Sequence, residues 1–74
     1  MCGINGIVSN SYSEDRLRDN IHSMNNDIIH RGPDSEGIFI EKNIGLGFRR
    51  LAIIDLSKNG DQPMLSQSRK LIIV

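Results

Sequence analysis

The sequence has few of the residues that stabilise small secreted domains or bind nucleic acids. Its 74 residues include one cysteine, two histidines, two phenylalanines, one tyrosine and no tryptophan, and nine basic side chains balance nine acidic ones. A single cysteine excludes an internal disulfide, and two histidines with one cysteine match no zinc-ligand spacing, so we expect no metal site. Nucleic-acid binding relies on excess positive charge and on aromatic rings that stack on bases. We therefore expect a protein that does not bind nucleic acid.

Long hydrophobic runs are also missing. No apolar run exceeds four residues, whereas a helix that spans a bilayer needs about 20. No basic segment followed by an apolar stretch has the form of a secretory signal. These absences predict a cytoplasmic protein without a membrane anchor, and the length predicts one small domain over residues 1–74.

The most regular pattern in the sequence predicts a helix over about residues 13–29. Four apolar residues recur at steps of four, three and four, which places them on one helical face: Leu17, Ile21, Met24 and Ile28. Ser11 and Glu14 have the spacing of a capping box at the start of this helix. Gly32 followed by Pro33 is predicted to end it.

The remaining segments have the composition of strands and loops. We predict strands over residues 2–8, 37–41, 44–54 and 71–74, a turn at residues 42–43 and a loop over residues 55–64. Strands around one helix predict an α+β fold. The last strand is apolar throughout and is predicted to be buried, and the sequence stops inside it without a turn or cap. We therefore interpret the chain as a fragment of a larger domain.

Cys2 is the first candidate for chemistry. Removal of the initiator methionine would make it the N-terminal residue, with a nucleophilic thiol and a partly unprotonated α-amine in one residue. The amine could accept the thiol proton and later return it to a leaving amine. The alternative interpretation is a small apolar residue in a strand that happens to begin the chain.

Two further polar segments have more than one interpretation. Residues 30–35 (His-Arg-Gly-Pro-Asp-Ser) fit either a helix stop and turn or a loop that lines a pocket. Arg49 and Arg50 end an apolar strand, and strand alternation directs one to each face. A guanidinium on the inner face needs an anion, which could be a ligand carboxylate in two-point contact or an internal Asp or Glu.

Four motifs occur in order along the chain. They are Met1-Cys2-Gly3-Ile4, then residues 30–35, then residues 50–57 (Arg-Leu-Ala-Ile-Ile-Asp-Leu-Ser), then Gly60 with Gln62-Pro63-Met64. Together they resemble the beginning of the glutamine-hydrolysing asparagine synthetases. The initial Cys-Gly-Ile is typical of class II glutamine amidotransferases in general, and the other motifs point to the asparagine synthetase branch.

The resemblance implies a fold and a site. It implies an N-terminal-nucleophile hydrolase fold, a four-layer αββα sandwich of which these residues would form a part. It also implies that Cys2 is the nucleophile, with its α-amine as general base, and that Arg50 holds the α-carboxylate of L-glutamine. The glutamine pocket would be lined by Arg50, Leu51, Ala52, Ile53 and Ile54.

The same resemblance implies a reaction and a second domain. Ammonia released from glutamine would serve the ATP-dependent conversion of aspartate to asparagine in a synthetase domain, which would bind ATP and Mg²⁺. Residues 1–74 do not include that domain and need no cofactor of their own. The family's oxyanion-stabilising Asn-Gly pair is also absent from them, so we expect these residues alone to be inactive.

Two alternatives remain open. A related amidotransferase could deliver ammonia to another carboxylate, because the acceptor is chosen in the missing domain. The chain could also be a non-catalytic truncated fragment that associates through an open sheet edge. The sequence leaves open whether the intact protein forms a homodimer.

Overall fold

The chain folds as an antiparallel sheet with a helix on one face and a separate short hairpin. A computed structural model describes residues 2–52 and 60–74. Over these residues the elements are β1 (Gly3–Val8), α1 (Glu14–Asp27), β2 (Ser35–Glu41), β3 (Ile44–Arg50), β4 (Met64–Leu65) and β5 (Ile72–Ile73). The first three strands form a sheet in the order β1-β3-β2, and β4 pairs with β5. The predicted α+β class is confirmed.

Helix α1 is where the sequence predicts it, but both ends differ from the prediction. The cap is Ser13 rather than Ser11, because its extended backbone lets its Oγ accept a hydrogen bond of 3.1 Å from the Arg16 amide. The helix ends at Asp27, several residues before Gly32, and the chain between them forms tight turns. Residues 25–27 are Asn-Asn-Asp, which are weak helix formers.

The helix packs closely on the central strand. Leu17 and Ile21, both from the predicted apolar face, are fully buried. Opposite them the helix-facing positions of β3 include Gly45 and Gly47, which have no side chain to hold the helix away. A Cβ at position 47 would lie 2.5 Å from Oδ1 of Asn25, so only glycine allows this approach without a shift.

The β2–β3 hairpin turns where the sequence predicts, at residues 42–43. Lys42 has a φ of 52°, in the left-handed region that tight hairpin turns use. Its amide donates a hydrogen bond of 2.8 Å to Oε2 of Glu14 in the first turn of α1. The turn is therefore attached to the start of the helix.

Two predicted strands are shorter in the structure. The strand predicted over residues 44–54 ends at Arg50, and Leu51 and Ala52 follow it outside any strand. Residues 53–59, which include the rest of that strand and much of the predicted loop, lie outside the described residues. The strand predicted over residues 71–74 is reduced to Ile72–Ile73.

The prediction that residues 71–74 are buried is wrong. Leu71 is 69% exposed and Ile73 is 65% exposed, because β5, which begins after Leu71, pairs within the described part of the chain only with the two-residue strand β4. On the outer face of the main sheet, opposite α1, Phe48 is buried while Ile4 and Val8 are 60% and 74% exposed. No helix in the described part of the chain is long and apolar enough to cross a membrane.

Candidate active site

The sheet register brings the predicted nucleophile and the predicted carboxylate-binding arginine to the same end of the fold. Gly3 pairs with Arg49, so the residues directly beyond this pair, Cys2 and Arg50, are neighbours across the two strands. The Cys2 side chain is exposed, and its Sγ accepts a hydrogen bond of 3.4 Å from the Leu51 amide. Three of the predicted site residues therefore lie together.

A cleft of about 490 Å³ opens beside Cys2. Residues from β1, β3, the turn after α1 and the chain near the hairpin line it: Cys2, Gly3, Ile4, Ile28, Arg31, Phe48, Gln62 and Val74. Three of the predicted pocket residues lie in the described part of the chain, and none of them is among the residues that line this cleft: Arg50, Leu51 and Ala52. Ile53 and Ile54, also predicted, lie outside the described residues.

Two residues of the segment 30–35, Arg31 and Asp34, contact the candidate site directly. Arg31 lines the cleft, and its Nε donates a hydrogen bond of 3.2 Å to the Cys2 carbonyl oxygen. The Asp34 amide donates to the Arg50 carbonyl oxygen at 2.9 Å, and Oδ2 of Asp34 accepts from the Ala52 amide at 2.7 Å. Features of both interpretations are present: Arg31 lines a pocket, while the turn at residues 30–31 and the bond of Asp34 to a backbone amide fit a helix stop and turn.

Arg50 has an internal partner. It is 7% exposed, and its Nη1 lies 3.0 Å from Oδ1 of Asp61 in a salt bridge. The same oxygen accepts a hydrogen bond of 3.0 Å from Oγ of Ser35. The sequence allows an internal acid as the partner of this guanidinium, but no pattern in it singles out Asp61.

Arg49 points to the opposite face, as strand alternation predicts. Its Nε donates a hydrogen bond of 2.8 Å to the Gly32 carbonyl oxygen, and its Nη1 lies 3.4 Å from Oε2 of Glu36. These contacts fix the turn after α1 against the sheet. Arg49 therefore supports the segment that carries Arg31 to the cleft.

The site as described consists of a thiol, guanidinium groups and backbone amides. Within residues 2–52 and 60–74, no cluster of three or more His, Cys, Asp or Glu side chains could hold a metal ion. An exposed thiol that receives an amide hydrogen bond, next to a cleft lined by the cationic Arg31, can attack a carbonyl carbon of a ligand that carries a carboxylate.

Comparison with known proteins identifies the family of the chain. All 74 residues match the family described as the glutamine amidotransferase domain, and the chain belongs to that family. No solved structure matches the chain. The resemblance to asparagine synthetases found in the sequence is confirmed by curated relatives.

Three of these relatives differ in their identity to the chain. The chain is 53% identical over 68 residues to a Methanocaldococcus jannaschii protein with the provisional name glutamine-hydrolysing asparagine synthetase 2, an alignment that covers 86% of the chain and 13% of the relative. It is 46% identical over 69 residues to glutamine-hydrolysing asparagine synthetase 1 of Bacillus subtilis, covering 86% and 10%. It is 36% identical over 76 residues to synthetase 2 of the same organism, covering 100% and 10%. The chain thus spans only about a tenth of these relatives' lengths.

Proposed function

We propose that the chain is part of the glutaminase domain of an enzyme that makes asparagine with nitrogen from L-glutamine. The observation that carries the proposal is the exposed Cys2 thiol at the cleft, with the Leu51 amide 3.4 Å from its Sγ and the buried Arg50 next to it. The thiol supplies a nucleophile, and the guanidinium supplies a partner for the α-carboxylate of glutamine. The names of the relatives favour aspartate as the acceptor of the released ammonia.

In the proposed reaction, the α-amine of Cys2 takes the thiol proton, and the sulfur attacks the side-chain amide carbon of glutamine. The tetrahedral intermediate collapses when the amine returns the proton to the leaving nitrogen, which departs as ammonia and leaves a γ-glutamyl thioester. Water then attacks the thioester carbon, and glutamate and the free thiol are released. The Leu51 amide donates a hydrogen bond to Sγ and holds the sulfur at the cleft.

The proposal extends to parts of the protein outside these residues. We infer a complete N-terminal-nucleophile hydrolase sandwich, to which the β1-β3-β2 sheet and α1 contribute one sheet and one helix layer. The ammonia would pass to a synthetase domain of the same protein that binds ATP and Mg²⁺ and activates aspartate. The protein would act in the cytoplasm, and a homodimer of the full-length protein is compatible with this arrangement.

The experiment uses the full-length protein that contains this chain. Wild type and Cys2→Ala are assayed for asparagine formation from aspartate and ATP, once with glutamine and once with ammonium chloride. We expect Cys2→Ala to lose the glutamine-dependent reaction and to keep the ammonia-dependent one, because only glutamine hydrolysis needs the thiol. Equal loss of both activities would contradict this division of labour.

A second arm identifies the acceptor. If wild type releases glutamate from glutamine but forms no asparagine, the glutaminase half of the proposal stands and the acceptor is a different carboxylate. If wild type releases no glutamate, the proposed function is refuted. An intact-mass measurement after rapid quenching with glutamine should show the γ-glutamyl adduct on Cys2 in wild type and its absence in Cys2→Ala.

A further inference from the structure

Arg50 is held by an acid that the four sequence motifs do not account for. Asp61 lies between Gly60 and Gln62, two motif positions, and its Oδ1 is 3.0 Å from Nη1 of Arg50. The Arg50 side chain is 9% exposed and that of Asp61 is 30% exposed, so the arginine is the more buried partner. A guanidinium buried to this extent needs a charged partner, since an uncompensated buried charge is strongly destabilising.

The position of Asp61 is itself set by the sheet. Ser35 is the first residue of β2 and pairs with Arg50 in the β2–β3 register. Its Oγ donates a hydrogen bond of 3.0 Å to Oδ1 of Asp61, the same oxygen that accepts a hydrogen bond from Nη1 of Arg50. Strand pairing therefore places Ser35 and Arg50 side by side, and their two hydrogen bonds hold Oδ1 of Asp61 between them.

The backbone before Asp61 lies against the guanidinium. A Cβ added at Gly60 would be 2.6 Å from Nη2 of Arg50 and 2.9 Å from its Cζ. Any residue other than glycine would have to push the guanidinium out of its present orientation. Asp61 therefore contacts the Arg50 guanidinium at Nη1, and the absence of a side chain at Gly60 lets the backbone lie against the guanidinium near Nη2.

We propose that Asp61 is a positioning residue for substrate binding, which keeps the Arg50 guanidinium in the orientation that receives the α-carboxylate of glutamine. The inference rests on the proposed function for the role of Arg50. A planar guanidinium gives a two-point contact to a carboxylate only when its plane is fixed, and fixing it in advance lowers the entropy lost when the substrate binds. Ser35 acts indirectly, because its Oγ donates a hydrogen bond to the carboxylate of Asp61.

The kinetic test compares Asp61→Ala, Asp61→Asn and the control Asp19→Ala in the full-length protein. Asp19 is an exposed acid on α1, so its variant makes the same change in charge away from the site. Asp61→Ala should raise the KM for glutamine about tenfold and change kcat by less than about twofold. Asp61→Asn should show a smaller rise, because its amide oxygen can still accept from Arg50 and Ser35. Ammonia-dependent synthesis should stay at the wild-type rate in all three variants.

Two kinetic outcomes would overturn the proposal. An unchanged or lowered KM in Asp61→Ala would show that Asp61 does not prepare Arg50 for the substrate. A parallel fall in the glutamine-dependent and ammonia-dependent rates would show a general structural role.

A spectroscopic test needs no glutamine. In protein labelled with ¹⁵N at arginine, the Nε–H signal of Arg50 is assigned by its loss in Arg50→Lys. We expect this signal to shift in Asp61→Ala and to remain in place in Asp19→Ala. An unmoved signal in Asp61→Ala would overturn the positioning role. Absence of glutamine hydrolysis in wild type, with the signal shifted as expected, would instead refute only the proposed function.

Discussion

Asn5 donates a hydrogen bond of 2.7 Å from its Nδ2 to Oδ1 of Asn25, which joins strand β1 to helix α1. Asn25 is fully buried, and its own Nδ2 donates to Oε2 of Glu36 at 3.3 Å and to the Gly37 carbonyl oxygen at 3.4 Å. One side-chain amide therefore connects the helix to both edge strands of the sheet. Gly47 of the central strand leaves the space in which this amide lies.

This amide predicts a stability effect. Asn25→Ala removes its three hydrogen bonds and leaves the Asn5 amide and the Gly37 carbonyl without that partner inside the protein. We expect the free energy of opening of α1 to fall by about 2–3 kcal/mol. Amide hydrogen exchange of the full-length protein measures it, with the exposed Asn26→Ala as the matched control. Equal exchange in the two variants would show that Asn25 contributes nothing beyond helix propensity.

The mature protein should begin at Cys2. A retained Met1 would convert the α-amine of Cys2 into a peptide nitrogen, which cannot accept the thiol proton. Intact-mass analysis of protein expressed without a tag decides the point, and we expect the mass to lack one methionine. If the fully active protein keeps Met1, the amine is not the base.

Arg50→Lys should impair glutamine use although the charge is retained. Lysine lacks the planar fork that contacts both oxygens of a carboxylate, and loss of such a charge-assisted contact costs about 1.5–3 kcal/mol. This corresponds to a fall of roughly ten- to a hundredfold in kcat/KM for glutamine. Steady-state kinetics of the full-length protein measure it, with ammonia-dependent synthesis as the internal control. Wild-type kinetics with glutamine would mean that Arg50 serves only as the structural partner of Asp61.

The isolated 74-residue chain should be marginally stable or self-associated, and inactive as a glutaminase. Large apolar side chains such as Ile4 and Val8 are mostly exposed on the outer face of β1, and the buried apolar core is small. Size-exclusion chromatography and ammonia release from glutamine measure the two properties. Val8→Lys should shift the chain towards the monomer, while Ser68→Lys, on an exposed turn, should not. A monodisperse wild-type monomer with full turnover would contradict this prediction.

The general outline of the fold could be predicted because it depends on periodicity and turn chemistry. The apolar period placed α1, and the Lys-Asn pair placed the β2–β3 turn. Burial was harder to predict, because it depends on which other segment covers a strand. Residues 71–74 are as apolar as a core strand, yet their short pairing with β4 leaves half of them exposed.

The roles predicted for the site residues stay predictions, and the structure adds where these residues lie. The proximity of Cys2 to Arg50 agrees with the sequence-based resemblance, whereas the roles of Arg31 and Asp61 depend on contacts between distant segments that no local pattern contains. Asn25 did leave a signal, since it lies four residues after Ile21 on the buried face of α1. A polar residue at such a position indicates a buried hydrogen-bond network, whereas the apolar period predicts Met24 on that face.

The distance between the helix and the sheet also affects the shape of the cleft beside Cys2. The turn after α1 carries Arg31 to the Cys2 carbonyl oxygen, so any change in the height of the helix above β3 moves the wall of the cleft. That height is set by the missing side chain at Gly47, on the side of the sheet away from Phe48. A methyl group added at this position would touch no substrate, yet it would push the helix away from the sheet and so change the width of the cleft.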